Sequence, residues 1–168
     1  TGIVYCATRK RVEQVAAVLF REGLKSVTQY HAGLSDEERD AAQNRFMRGE
    51  SDVVVATNAF GMGIDRSDIR FVAHFEMPGS VEAYYQEAGR AGRDGRPSVC
   101  ELFFSYADKR IQDFFIEGSN PSRGLLEKVY ATLLKRRNEA NCIEIPIDEL
   151  KEALNEKVNP MAVSTSLS

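Results

Sequence analysis

The chain lacks tryptophan altogether and has only three cysteines, two histidines and five prolines in 168 residues. Cys6, Cys100 and Cys142 are odd in number and widely spaced, with no CxxC pair and no neighbouring histidine cluster. That pattern argues against a zinc site or a disulfide framework in this segment, and the three thiols read as small buried hydrophobes. No apolar run approaches the roughly eighteen residues of a transmembrane helix. The first residues, TGIVYC, look like a core strand and not like a signal peptide. A protein of the cytosol or the nucleus, with no membrane partner, is expected. A phosphate loop of the form GxxxxGKS or GxxxxGKT is missing too, so the chain does not spell a complete nucleotide pocket. Nor is there an excess of positive charge. The formal net charge of −3 argues against a bulk electrostatic nucleic-acid binder, while leaving room for a local basic stripe.

What is present, 43% hydrophobic and 28% charged residues, suits one sizeable core or one domain with a smaller appendage. GIVYC at 2–6 is short, apolar and β-branched, and Val12, Val15, Ala16, Leu19 and Phe20 then recur at helical spacing. Thr8 stands where the cap of that helix belongs. Arg9, Lys10 and Arg11 crowd its first turn, where the helix dipole disfavours cations unless an anion lies nearby; a phosphate would resolve the conflict. SVTQYH at 26–31 is a second strand, followed by a helix that opens on Ser35 with Glu38 three residues on, a capping box. The acids of DEER at 36–39 therefore fill a first helical turn and are not a metal-binding box. His31, at a strand end, is either a satisfied structural side chain or a partner for a nucleic-acid phosphate.

DVVVAT at 52–57 is a continuous apolar run, the mark of a strand buried on both faces of a parallel sheet. It leads into NAFGMGID, where Thr57, Asn58, Gly61 and Gly63 offer hydroxyl, amide and backbone donors at a strand's carboxyl end. Asp65 either accepts from a ribose hydroxyl or caps a turn. RFVAHF at 70–75 is a fourth strand, then comes a helix capped by Ser80, a last strand SVCELFF, and the amphipathic DKRIQDFFIEG. This alternation predicts an α/β fold with a doubly wound parallel sheet over residues 1–117. GSNPS at 118–122 is a linker signal. Over residues 123–168 the order helix, short strand (IEIPI), helix, opening helix is that of a partial, mainly helical winged-helix module. The abrupt first strand and the abrupt last residues, VSTSLS, look like those of a segment of a longer protein.

The stretch QEAGRAGRDG at 86–95 is the densest in chemistry. Glycines let backbone approach a polyanion closely, and guanidinium groups match phosphate oxygens with a planar fork of donors. Arg90 and Arg93 read as arginine fingers, which neutralise charge developing during phosphoryl transfer; taken alone, the stretch is equally well a solvated Gly/Arg loop.

With YCATR at 5–9, YHAGL at 30–34, VVATNAFGMGID at 54–65 and YYQEAGRAGRDG at 84–95 in this order, the chain resembles the second RecA-like lobe of a RecQ-family DNA helicase. The resemblance covers about two thirds of the chain. It implies a helicase C-terminal lobe of a 3′ to 5′ ATP-dependent DNA helicase, an ATP hydrolase that unwinds duplex DNA. Arg90 and Arg93 would reach the γ-phosphate of ATP and Mg²⁺ held mainly by a first RecA-like lobe of the same chain. Asp65, Gln86 and Gly63 would lie near the nucleotide, and Thr8, Arg9, His31, Thr57 and Asn58 near the backbone of single-stranded DNA. The partners implied are single-stranded and duplex DNA, in the nucleoid of a prokaryote or the nucleus of a eukaryote. Family members commonly carry a four-cysteine zinc subdomain after this lobe; only Cys100 and Cys142 follow Gly95, so a zinc-less branch is expected and this segment alone is expected to be inactive. Two other readings remain: a non-catalytic DNA-binding or docking module, and an RNA helicase of the same superfamily.

Overall fold

The computed structural model describes residues 1–61, 63–138, 142–154 and 158–167. They form two compact units, Thr1–Asp108 and Lys109–Ser168. In the first, five strands, β1 (Gly2–Tyr5), β2 (Val27–Tyr30), β3 (Val53–Ala56), β4 (Phe71–His74) and β5 (Val99–Leu102), make one sheet in the order β2-β3-β1-β4-β5. All pairings are parallel, with Gly2 opposite both Val53 and Phe71. The helices are α1 (Arg9–Arg21), α2 (Asp36–Met47) and α3 (Val81–Ala88).

The apolar run of β3 is buried at every position, and the period-2 alternation of a strand divides it between two cores. Val53 and Val55 join Val4, Cys6 and the Val12, Val15 and Ala16 face of α1. Val54 and Ala56 join Ile3, Tyr5, Val72, Phe46 of α2, and Phe60, Ile64 and Ile69 of the loop between β3 and β4. Helices therefore cover both faces, the doubly wound arrangement expected from the alternation of elements. Phe20 departs from the expected core and is exposed. Leu19 in the same turn packs against the second core, and Phe20, one residue on and about 100° further round at ~3.6 residues per turn, falls at the edge of the apolar stripe.

The expected caps form. Thr8 accepts from the Arg11 amide and Ser80 from the Ala83 amide, while Ser35 and Glu38 complete a reciprocal capping box.

The second unit holds most of α4 (Asp108–Ser119), then α5 (Arg123–Leu134), α6 (Ile147–Ala153) and α7 (Pro160–Thr165). Val129, Leu150, Leu154 and Val163 are its core. The strand expected at IEIPI does not form among the described residues: Pro146 caps α6 and Ile147 opens it. Proline cannot donate to a ladder, its fixed φ suits a residue entering a helix, and Asp148 and Glu149 in the following turn complement the dipole. Of the segments read from sequence, Met62 of NAFGMGID, residues 139–141 and 155–157, and Ser168 lie outside the described residues.

Candidate functional site

In a parallel sheet the carboxyl ends of all strands share one edge, and connections that leave neighbouring strands in opposite directions open a crevice there. β1 leads through α1 towards β2, and its neighbour β4 leads through α3 towards β5. Thr8 follows β1, His31 follows β2, and Thr57 and Asn58 follow β3, so the residues expected along a nucleic-acid backbone line three adjacent strand ends. His31 is buried; its Nδ1 accepts the Gly33 amide at 3.2 Å and its Nε2 lies 3.8 Å from Glu13 Oε1. The Arg9 side chain reaches the same turn, its Cδ and one terminal nitrogen each 3.1 Å from where a Cβ on Gly33 would lie. Arg9 and His31 are thus brought together around a glycine. Thr57 is buried, its amide donating to the Tyr30 carbonyl at 3.1 Å and its carbonyl accepting from Phe60 at 3.0 Å, whereas Asn58 is exposed.

The basic first turn of α1 is partly answered inside the protein. Glu76, buried just beyond β4, accepts the Ala7 amide at 2.8 Å and the Arg11 Nε at 3.0 Å. Arg11 therefore has its anion, and Arg9 and Lys10 are the exposed cations of that turn. Beneath it, the Cys6 thiol is pushed from 9.0 up to about 12, mainly by burial and secondarily by the Glu76 charge, with Arg11 opposing. The folded state resists ionising this thiol, so the associated stability is complete below the ordinary thiol range and is lost as pH rises through it towards 12. Of the three thiols expected to be buried only Cys6 is; Cys100 and Cys142 are exposed. At pH 8 a maleimide should therefore label those two and spare Cys6; modification of Cys6 in the native chain, read by peptide mass mapping, would contradict its burial.

QEAGRAGRDG runs from the last turn of α3 into a turn at the edge of the first core. Arg90 lies half-buried and donates to the Gly61 carbonyl at 2.7 Å, while its Nε is buried with no partner. Arg93 is held more loosely, at 3.3 Å from the Gly89 carbonyl, 3.4 Å from the Ile64 carbonyl and 3.6 Å from Asp65 Oδ1. Both guanidinium groups therefore dock on the loop that begins at Thr57. Asp65 is almost wholly exposed and pairs with Arg93; Gly63 has φ +81°, a conformation that favours glycine; Gln86 is exposed on α3. Structure thus joins Arg90, Arg93 and Asp65 and leaves Gln86 apart from their contacts.

The far side of the turn is pinned by residues that sequence reasoning missed. The Gly92 amide donates to the Ile69 carbonyl at 2.9 Å, and Arg70 bonds Asp94 at 2.6 Å and the Pro97 carbonyl at 3.1 Å. The Arg70 hydrogen bond holds the Asp94 carboxyl below its usual range. Glu76, Glu87 and His74 were also missed; a histidine inside the apolar run FVAH was the one available signal. Among the described residues no group of three or more His, Cys, Asp or Glu side chains could hold a metal ion.

Comparison with known proteins places this geometry. Residues 1–95 match the helicase conserved C-terminal domain. The chain is 49% identical over 125 residues to the RecQ-like DNA helicase blm-1 of Caenorhabditis elegans, covering 74% of this chain and 13% of that protein. It is 52% identical over 118 residues to the ATP-dependent DNA helicase RecQ of Bacillus subtilis, covering 70% of this chain and 20% of that protein. The chain therefore spans a fifth or less of these relatives. Among solved structures, S. cerevisiae Dbp5 bound to RNA and ADP BeF3 superposes with a TM-score of 0.57 at 28% identity, over 70% of this chain and 31% of that one. On these grounds the chain belongs to the helicase conserved C-terminal domain family, among its RecQ-like members.

Proposed function

We propose that this chain is the second motor lobe of an ATP-dependent DNA helicase that moves 3′ to 5′ and unwinds duplex DNA. The observation that carries the reading is the loop from Thr57 to Asp65, which offers Thr57 and Asn58 at the strand-end edge and receives Arg90 and Arg93 on its Gly61 and Ile64 carbonyls. One loop thus touches both halves of the chemistry. The residues present fit one side of a nucleotide: two guanidinium groups with donors to spare, and no phosphate loop. A first RecA-like lobe of the same chain would hold most of ATP and its Mg²⁺, and would bring the γ-phosphate to Arg90 and Arg93.

Closure then places positive charge where the phosphoryl oxygens gain negative charge, and hydrolysis releases it. Asp65 and Gly63 line the loop beside Arg93 and would face the nucleotide, with Gln86 on α3. Thr8, Arg9, His31, Thr57 and Asn58 would hold phosphates of the tracked strand, exchanging them between open and closed lobes. Such contacts read little sequence and weaken with salt. The second unit is proposed as a partial winged helix, and the setting as nucleoid or nucleus.

Because the fingers need a partner lobe, the isolated chain should show no appreciable ATP hydrolysis with or without DNA, while the two-lobed protein turns ATP over in a DNA-stimulated manner. Robust turnover by the pure chain would refute a divided site. The likeness to Dbp5 bound to RNA raises an RNA helicase as the second reading; the much higher identity to DNA helicases favours DNA. Unwinding of matched DNA and RNA duplexes separates the two, a clear preference for RNA deciding against the first.

A further inference from the structure

Two buried polar side chains in the first unit have no part in the chemistry above. His74, the last residue of β4, is fully buried, and its Nε2 lies 2.8 Å from Glu87 Oε2. A carboxylate only accepts, so Nε2 carries the hydrogen of this bond, and Nδ1 is buried with no partner. Two aromatic rings lie against the imidazole, that of Tyr5 stacked at 5.6 Å and that of Tyr84 tilted at 5.0 Å. An unsatisfied buried nitrogen is a cost, and an apolar side chain would fill this position of a core strand without it. Core packing alone does not call for a histidine here.

Glu87 and Tyr5 lead from this pair to one place. Glu87 sits in the last turn of α3, and its carbonyl accepts the Arg90 amide at 3.3 Å. Tyr5, stacked on His74, donates from its hydroxyl to the Phe60 carbonyl at 3.0 Å. Arg90 donates to the next carbonyl along, that of Gly61, at 2.7 Å. We propose that the His74–Glu87 pair is a positioning device for Arg90. Through the Glu87 carboxylate it fixes the rotation of the turn from which Arg90 projects, and through Tyr5 it ties that turn to the loop on which the guanidinium rests. Neither residue touches nucleotide or nucleic acid; both act through Arg90, and the inference rests on the finger reading of that arginine.

The test is steady-state ATP hydrolysis by the two-lobed protein with saturating single-stranded DNA. His74→Leu removes the hydrogen bond while keeping an apolar fill, and should lower kcat about 10- to 100-fold, the scale of a misplacement near 1 Å, with KM for ATP within about threefold. His74→Gln, whose amide nitrogen can donate to Glu87 from nearly the same point, should restore kcat to within about threefold of the parent. A merely structural histidine would lower the melting temperature in both variants and leave kcat of the folded fraction unchanged; that result would overturn the proposal. Should His74→Leu not fold, Glu87→Gln keeps the shape and weakens the charge-assisted bond, and an unchanged kcat there would overturn it equally. Arg90→Lys runs alongside. If Arg90→Lys leaves kcat intact, the finger reading itself fails; if it lowers kcat and the His74 and Glu87 variants do not, only the positioning role fails.

Discussion

In the two-lobed protein, Arg93→Ala is expected to lower ATP turnover by about 10³-fold or more, the typical worth of an arginine finger, and to leave ATP binding nearly intact. The reason lies in how differently the two arginines are held. Arg90 is anchored, with a short bond to the Gly61 carbonyl and a buried Nε. Arg93 has 40% of its side chain exposed, and its three partners stand at 3.3 to 3.6 Å, one of them an almost fully exposed carboxylate. Contacts of that length and exposure contribute little to stability. Truncation to alanine should therefore shift thermal unfolding by no more than about 0.5 kcal/mol, as for most surface substitutions. A large loss of turnover with little loss of stability is the signature of a group reserved for the transition state, since an interaction made only there lowers kcat without raising KM. An unchanged turnover number would count decisively against the role. A matching rise in KM would instead assign Arg93 to ground-state binding of ATP.

Much of this arrangement can be read before any coordinates. Apolar strands alternating with helical spacing dictate the parallel sheet, and Thr8, Ser35 and Ser80 cap the helices they announce, because caps and strand runs are local signals. What stays hidden is pairing across the sheet. Arg11 looked like a cation awaiting a phosphate, yet Glu76, sixty-five residues away in the chain, already holds it. His74 and Glu87 are thirteen residues apart and meet only because α3 folds back over β4. Asp65 carries two local readings, ribose partner or turn cap, and the contact it makes with Arg93 is visible in neither. The strand expected at IEIPI failed for the opposite reason: β-branched residues suggested a strand, and a single proline with two acids behind it favoured a helix start. Local propensity was outweighed there by a stronger local rule.

The second large effect is expected at Gly61. A Cβ built on its backbone would run into the Arg90 guanidinium, meeting Cζ at 2.8 Å and Nε at 3.1 Å as well as a terminal nitrogen. Real Cβ atoms do not come that close, so in Gly61→Ala something must move. The three nearest atoms all belong to the far end of a flexible side chain, which can swing aside. The fold should therefore tolerate the change at about 1 kcal/mol or less, while Arg90 loses its seat on the Gly61 carbonyl. If the seat sets the finger's aim, turnover should fall about 10²-fold, the cost of displacing a catalytic group by about 1 Å. Because Gly61→Ala adds one methyl group and removes no charge, it separates the presence of Arg90 from its position, which truncation of the arginine cannot do. Combining it with Arg90→Ala sharpens the result: two changes acting through one group are strongly non-additive, so the double variant should turn ATP over no more slowly than Arg90→Ala alone. A Gly61→Ala protein with full activity would mean that Arg90 reaches the phosphate from a rotamer other than the one seated here.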